Sequence, residues 1–330
     1  MLTRFFKAAA IAAAVLTCTC MDMPLAYGWG FFAHQRINRL AVYMLPPGMM
    51  AFFKPNIEYI VAHACDPDKR RYLLPAEGPR HYIDIDRYGA YPYDSLPRIY
   101  NKAVEKFSAD TLQRYGILPW HFERMMARLT KAFDSTDATY ILRTATELGH
   151  YIGDAHVPLH ASSNHNGQFS NQHGIHALWE SRIPELLADM EYDFWLGKAV
   201  YIHDTRAFIW RVVMESALAA DSVLQLEKKV TAQFSADVKY SFTYRNALLV
   251  RGYSDMYVRA YAKSMGDMVE RRMRNSIFAV ASCWYTAWIN AGQPTLSFKV
   301  KDTLNTEEKL AMQALDDSWR KGKIFGRGHE

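Results

Sequence analysis

The sequence predicts an all-α protein, a single multi-helix domain with few or no strands. Apolar residues recur at helical spacing along most of the chain. Strand-like alternation is confined to Leu296-Ser297-Phe298-Lys299-Val300, which supports at most a hairpin edge. No internal repeat, low-complexity tract or composition break marks a linker. Half of the 330 residues are hydrophobic and 17 Phe, 20 Tyr and 8 Trp are present, which excludes disorder as the general state and supplies ample core.

Taken in order, the chain opens with Arg4 and Lys7, an apolar run from Ala8 to about Thr17, and a segment ending Ala26-Tyr27-Gly28. This is the layout of a secretory signal peptide over residues 1–28, with small residues Ala26 and Gly28 before a cut after Gly28. The run is short for a membrane span. A lipid anchor on Cys18 or Cys20 is less favoured, because Thr precedes each. The expected location is therefore the periplasm or the extracellular space.

Beyond His34, the residues Ile37, Leu40, Ala41 and Met44 form one helical stripe that Pro46-Pro47-Gly48 ends. A stretch from about Asp66 to Pro97, rich in Pro, Tyr, Asp and Arg, has no clear period and reads as an ordered loop region over the helices. Helical patterns follow over roughly 120–133, 137–156, 174–190, 205–227, 244–265 and 266–290. Asn305 with Glu308 reads as a capping box for a charged last helix, dividing the mature chain into a domain at 29–304 and a tail at 305–330. Cys65 and Cys283, the cysteines left after cleavage, either pair or stay reduced and buried. The net charge of +5 is modest and does not by itself argue for a nucleic-acid partner.

The residues that carry chemistry are concentrated between His150 and Glu180. His150 and Asp154 are four apart, as are His176 and Glu180, so each pair projects from one helix face. Imidazole and carboxylate in such pairs suit a borderline-soft cation such as zinc. Pro158 ends the first helix near Val157, leaving His160 beyond the break, whereas His156 points elsewhere and reads as a supporting residue. One such pair alone is more often a solvated helix pair than a metal site; ordered co-occurrence of several changes the odds.

The string from His150 to Asn164 resembles the signature His-Tyr-x-Gly-Asp-x-x-x-Pro-x-His-Ala-x-x-Asn of the zinc-dependent phospholipase C and single-strand-specific zinc nuclease superfamily. The resemblance extends to Trp29 followed five residues on by His34, and to an Asp about fifteen residues before His81-Tyr82-Ile83-Asp84. Spacing favours Asp66 for that Asp over its neighbour Asp68. The resemblance implies a helical protein with three zinc ions: Asp66, His81, His150 and Asp154 on one, His160, His176 and Glu180 on a second, and Trp29, His34 and Asp154 on the third. Asp154 would bridge two of them. Residues 29 to 180 carry the resemblance, and the rest of the chain reads as packing helices.

That cluster implies hydrolysis of a phosphodiester by hydroxide held between ions, with no Ser or Cys nucleophile required. Asp154 is the central catalytic candidate. Asp84 reads either as a second carboxylate near substrate or as a loop cap, Tyr82 as a stacking platform for a base or as packing, and Asn164 opens a polar loop to Gly174 at the expected mouth, where His165 and His173 are candidate phosphate contacts. The Trp29-to-His34 spacing and His81-Tyr82-Ile83-Asp84 resemble the nucleases, whereas Glu180 resembles phospholipase C. Single-stranded nucleic acid is thus the first expected substrate and phospholipid the second, with no obligate protein partner. A non-catalytic zinc-binding protein is the rival from another class; structural zinc sites are closed and thiol-rich, and this set is neither.

Overall fold

The computed structural model describes residues 30–135, 137–245, 248–296, 310 and 313–318. Along it run α1 (Phe31–Val42), α2 (Pro47–Phe53), α3 (Ile57–His63), α4 (Asp66–Arg70), α5 (Tyr100–Phe107), α6 (Ala109–Tyr115), α7 (Leu118–Asp134), α8 (Ala138–Ala155), α9 (Ile175–Ala177), α10 (Ile183–Glu191), α11 (Thr205–Thr231), α12 (Ala236–Lys239), β1 (Tyr240–Arg245), β2 (Leu248–Tyr253), α13 (Asp255–Ser264) and α14 (Met268–Asn290). Among the described residues the architecture is all-α apart from one hairpin, as the helical periodicity predicts.

The centre is α8. It starts where the Asp137 side chain accepts the Tyr140 N–H at 3.0 Å, a helix cap. It stops ahead of Pro158, and a 3-10 turn, Pro158–Ala161, continues the chain. Every side chain from Thr144 to Ala155 is buried, because α1, α7 and α14 surround it. A helix buried all round is usually apolar; this one carries Glu147, His150 and Asp154 inside. Gly149 lets α1 close on it: a Cβ there would stand 2.1 Å from Asn38 Oδ1.

The last third of the chain supports the end of this helix. Ser216 on α11 donates to the Ala155 carbonyl at 2.6 Å, and Arg272 on α14 donates to the His156 carbonyl at 2.8 Å. Both carbonyls belong to a helix terminus, where no further turn supplies donors. Trp284 ties the other side of α14 to α8 through the Ala145 carbonyl at 2.8 Å.

The expected single helix over 244–265 is replaced by an antiparallel hairpin, β1 and β2, with Tyr240 opposite Tyr253 and Arg245 opposite Leu248, followed by the shorter α13. Aromatics alternating with polar residues at Tyr240, Phe242 and Tyr244 favour a strand, and Ser254 caps α13 by accepting the Tyr257 N–H at 3.3 Å. The 66–97 region holds α4 and two 3-10 turns, Gly78–Arg80 and Ile85–Tyr88, within otherwise irregular chain. The expected signal segment, Trp29, and the capping box at Asn305 and Glu308 lie outside the described residues, as does the expected strand beyond Leu296. Residues 313–318 are helical, and Asp316 accepts from Lys69 at 2.9 Å. Among the described residues no helix is long and apolar enough to cross a membrane.

Candidate metal centre

Three buried groups of imidazoles and carboxylates, each compact enough for one cation, lie on and beside the C-terminal half of α8: His34, His150 and Asp154; Asp68, His81 and His150; and His160, His176 and Glu180. They come from α1, α4, the irregular chain at His81, α8, the turn after it, and the α9–α10 segment.

His150 belongs to two of the groups, and Asp154 belongs to the first and reaches His81 of the second. Its Oδ2 lies 2.9 Å from His81 Nδ1 and 3.3 Å from His150 Nε2, while Oδ1 lies 3.4 Å from His34 Nε2. The two oxygens therefore face different groups, the arrangement expected of a bridging carboxylate. The His34 and His150 rings stack at 3.8 Å between centroids.

Most of the imidazoles are oriented from behind. His150 Nδ1–H donates to the Ala64 carbonyl at 2.9 Å, His160 Nδ1–H to the His81 carbonyl at 2.5 Å, and His176 Nδ1–H to the His165 carbonyl at 3.0 Å. In the neutral ring each bond places the proton on Nδ1 and leaves the lone pair on Nε2. Those lone pairs converge: His160 Nε2 and His176 Nε2 are 3.1 Å apart, and Glu180 Oε2 is 3.4 Å from the first and 3.1 Å from the second. Glu180 sits in a π-helical turn, Leu178–Arg182, between α9 and α10. Such turns widen a helix locally and are frequent at functional sites.

Asp66 does not join the cluster. Its Oδ2 bonds His63 Nδ1 at 2.6 Å near the surface. Asp68, two residues on, takes the inward place: Oδ1 is 3.6 Å from His150 Nε2 and 3.7 Å from His81 Nδ1. Two residues in a helix turn the side chain by about 200°, so only one of the pair can face inward. Of the two carboxylates, Asp68 and not the expected Asp66 is the one the structure brings to His81 and His150.

Burial and the close approach of imidazole to carboxylate set the electrostatics of the cluster. Burial pushes the Asp68 and Asp154 carboxyls up, but His150 and its neighbours outweigh it and hold both below the usual range. Burial opposes charge on His150, yet Asp154 and Asp68 raise its pKa to about 10. Burial raises Glu180 to about 8 against the pull of His160. His34 and His160 are lowered, chiefly by burial. Both Asp68 oxygens, Asp154 Oδ1, both Glu180 oxygens and both His34 nitrogens are buried without a formed hydrogen bond. Buried polar atoms are nearly always satisfied, and the carboxylate oxygens and one His34 nitrogen would be satisfied by divalent cations held by nitrogen and oxygen donors.

Gly30 brings the start of the described chain to this cluster: its N–H donates to the Glu180 carbonyl at 3.2 Å, and a Cβ on it would meet Ser181 Oγ at 2.6 Å. The other expected site residues lie differently. Tyr82 is buried and its hydroxyl donates to the Arg114 carbonyl at 3.2 Å, so its ring is a packing element and not an open platform. Asp84 is buried near Tyr88, whose hydroxyl pKa is raised first by burial and then by Asp84, and it belongs to none of the three groups. Asn164 orders its own loop, accepting from the Phe169 N–H at 2.9 Å and donating to Ser170 Oγ at 3.1 Å. His173 is exposed and His165 half-buried; the His165 carbonyl serves His176. His156 donates to the Ile152 carbonyl at 2.8 Å and is held neutral, its pKa lowered to about 3 by burial and by Arg272. Cys65 and Cys283 are buried free thiols.

Sequence reasoning passed over Glu77 and Tyr151, which stand behind His81. Glu77 is four residues before His81, but in chain without a regular period that spacing carries no direction. No family model matches the chain, and neither a curated protein nor a solved structure does.

Proposed function

We propose that this protein is an exported zinc-dependent phosphodiesterase with about three zinc ions, acting first on single-stranded nucleic acid. The observation that carries the proposal is the convergence of Asp68, His81, His150, Asp154, His160, His176 and Glu180 in buried groups, where both Asp68 oxygens, Asp154 Oδ1 and both Glu180 oxygens have no formed hydrogen bond. Asp68, His81, His150 and Asp154 hold one ion, His160, His176 and Glu180 a second, and His34 and Asp154 a third, completed by the amino terminus at Trp29 after cleavage. Such ions supply positive charge for a phosphodiester transition state and lower the pKa of water to about 7.

The protein's own part is to fix the donors. Main-chain carbonyls set the proton of His150, His160 and His176, and the α8 backbone sets the separation of His150 and Asp154. An all nitrogen and oxygen donor set with few ligands per ion leaves coordination positions for substrate and water, which favours catalysis over a structural role.

Phospholipid is the second reading, favoured by Glu180 at a ligand position and by the closed packing of Tyr82. The test is hydrolysis of single-stranded DNA, phosphatidylcholine vesicles and bis(p-nitrophenyl) phosphate by zinc-loaded and chelated protein. The expected result is cleavage of single-stranded DNA that chelator abolishes and zinc restores. Cleavage of lipid alone would transfer the assignment to phospholipase C, and full cleavage by metal-free protein would refute both readings.

A further inference from the structure

His81 is bound differently from the other imidazoles around Asp154. His150, His160 and His176 each give Nδ1–H to a main-chain carbonyl and present Nε2. His81 presents Nδ1 instead, 2.9 Å from Asp154 Oδ2 and 3.2 Å from His150 Nε2. A neutral imidazole has one lone-pair nitrogen and one N–H, so a ring that offers Nδ1 to a cation carries its proton on Nε2. That Nε2 is buried without a formed hydrogen bond, and the carboxylate in front of it is Glu77, with Oε1 at 3.6 Å.

Glu77 is wholly buried and held in place. Its Oε2 accepts from Arg70 Nε at 3.2 Å and from Arg80 Nη1 at 2.6 Å, and its Oε1 accepts from the Tyr151 hydroxyl. Arg70 in turn donates to Glu147 at 2.7 Å and to Tyr151 Oη at 3.3 Å. Glu147 and Tyr151 flank His150 on α8, while Arg70 ends the helix that carries Asp68. The same frame that anchors Glu77 thus joins the two elements supplying the ligands beside His81. The 3.6 Å gap exceeds a formed hydrogen bond, and Oε1 is the carboxylate oxygen that faces this nitrogen.

We infer that Glu77 is a positioning residue of the metal centre: it accepts the Nε2 proton of His81, selects the tautomer that offers Nδ1, and makes the imidazole a stronger donor. This rests on the metal-centre reading above. It gives the ion at Asp68, His81 and His150 a carboxylate-backed histidine, where the ion at His160, His176 and Glu180 has only carbonyl-backed ones.

The test uses full-length mature protein labelled with 15N-histidine, alone and loaded with zinc, with long-range 1H–15N spectra of the imidazoles and chelator competition for affinity. In the wild type, His81 should show a protonated Nε2 and a zinc-shifted Nδ1. Glu77→Gln should lower the affinity of one ion by about 10–100-fold while the His160 and His176 signals and their ion stay as in the wild type. A folded Glu77→Gln variant that binds every ion with unchanged affinity would overturn the inference and leave the metal centre intact. Should that variant fail to fold, the wild-type spectrum decides, since zinc on Nε2 or a proton on Nδ1 of His81 contradicts the proposed role. Wild type that takes up no zinc would remove both readings.

Discussion

Asp154 is the residue on which the cluster turns, because its two oxygens serve different groups. Asp154→Asn should lower zinc content by more than one ion and phosphodiesterase activity on the order of 100-fold, measured by metal analysis and steady-state hydrolysis. Asp68 and Asp66 offer a sharper comparison, since they differ only in direction. Asp68→Asn should lose affinity for an ion, whereas Asp66→Asn should keep the metal and weaken its part-buried contacts with His63 and Lys69. The pairs His150 with Asp154 and His176 with Glu180 are legible in sequence because a helix converts a spacing of four into a shared face. Asp68 is not, since the helix Asp66–Arg70 is too short to carry a periodic stripe that would show which of its two aspartates faces inward. The partners of Tyr82 and Asn164 are hidden for a related reason: which neighbours engage their polar atoms depends on the folded chain.

At the scale of elements, helix contacts hold the ligands at their distances. Gly149→Ala places a methyl group against Asn38 and should separate α1 from α8, moving His34 from His150. The expected cost is about 1–3 kcal/mol, read by denaturant melts, together with weaker metal uptake. The loop leading to His176 is tied to α11 by a buried carboxylate, for Gln172 donates to Glu227, which also accepts from Tyr257, from Thr231 at 2.7 Å and from Lys239 at 2.9 Å. Burial pushes the Glu227 carboxyl up, but these donors outweigh it and hold its pKa below the usual value. A depressed carboxyl contributes stability above its unfolded pKa and loses it as pH falls through the folded one. Glu227→Gln should therefore flatten the acid side of the stability–pH curve, which thermal melts across a pH series would show. The hairpin β1–β2 next to this cluster shows how element type is lost in a sequence reading. Leu248, Leu249 and Val250 fit a helical stripe as well as a strand, and pairing with Tyr240–Arg245 decides between them.

Across the whole molecule, the apolar core builds the fold and the metal centre is set into it. Trp120, Trp179 and Trp284 are fully buried in helices around α8, so the helices have contacts that owe nothing to a cation. Ions that bind the native state alone still stabilise it by mass action. Chelation should lower the melting temperature while the transition stays cooperative and the helical circular dichroism stays native; collapse of helicity on metal removal would mean a structural role instead. The fold class is legible in sequence because helical periodicity recurs over most of the chain, and the support that Ser216 and Arg272 give to the end of α8 is not, since it rests on contacts between residues more than fifty apart.

The central claim is a metal centre of about three ions built on Asp154, and the most direct test is the metal content of the mature chain after reconstitution with zinc and removal of excess. The expected result is about three zinc ions per chain, lowered by more than one in Asp154→Asn and by one in Asp68→Asn. A folded wild-type chain that retains no zinc, or binds it equally well with Asp154 and Asp68 both replaced, would contradict the account.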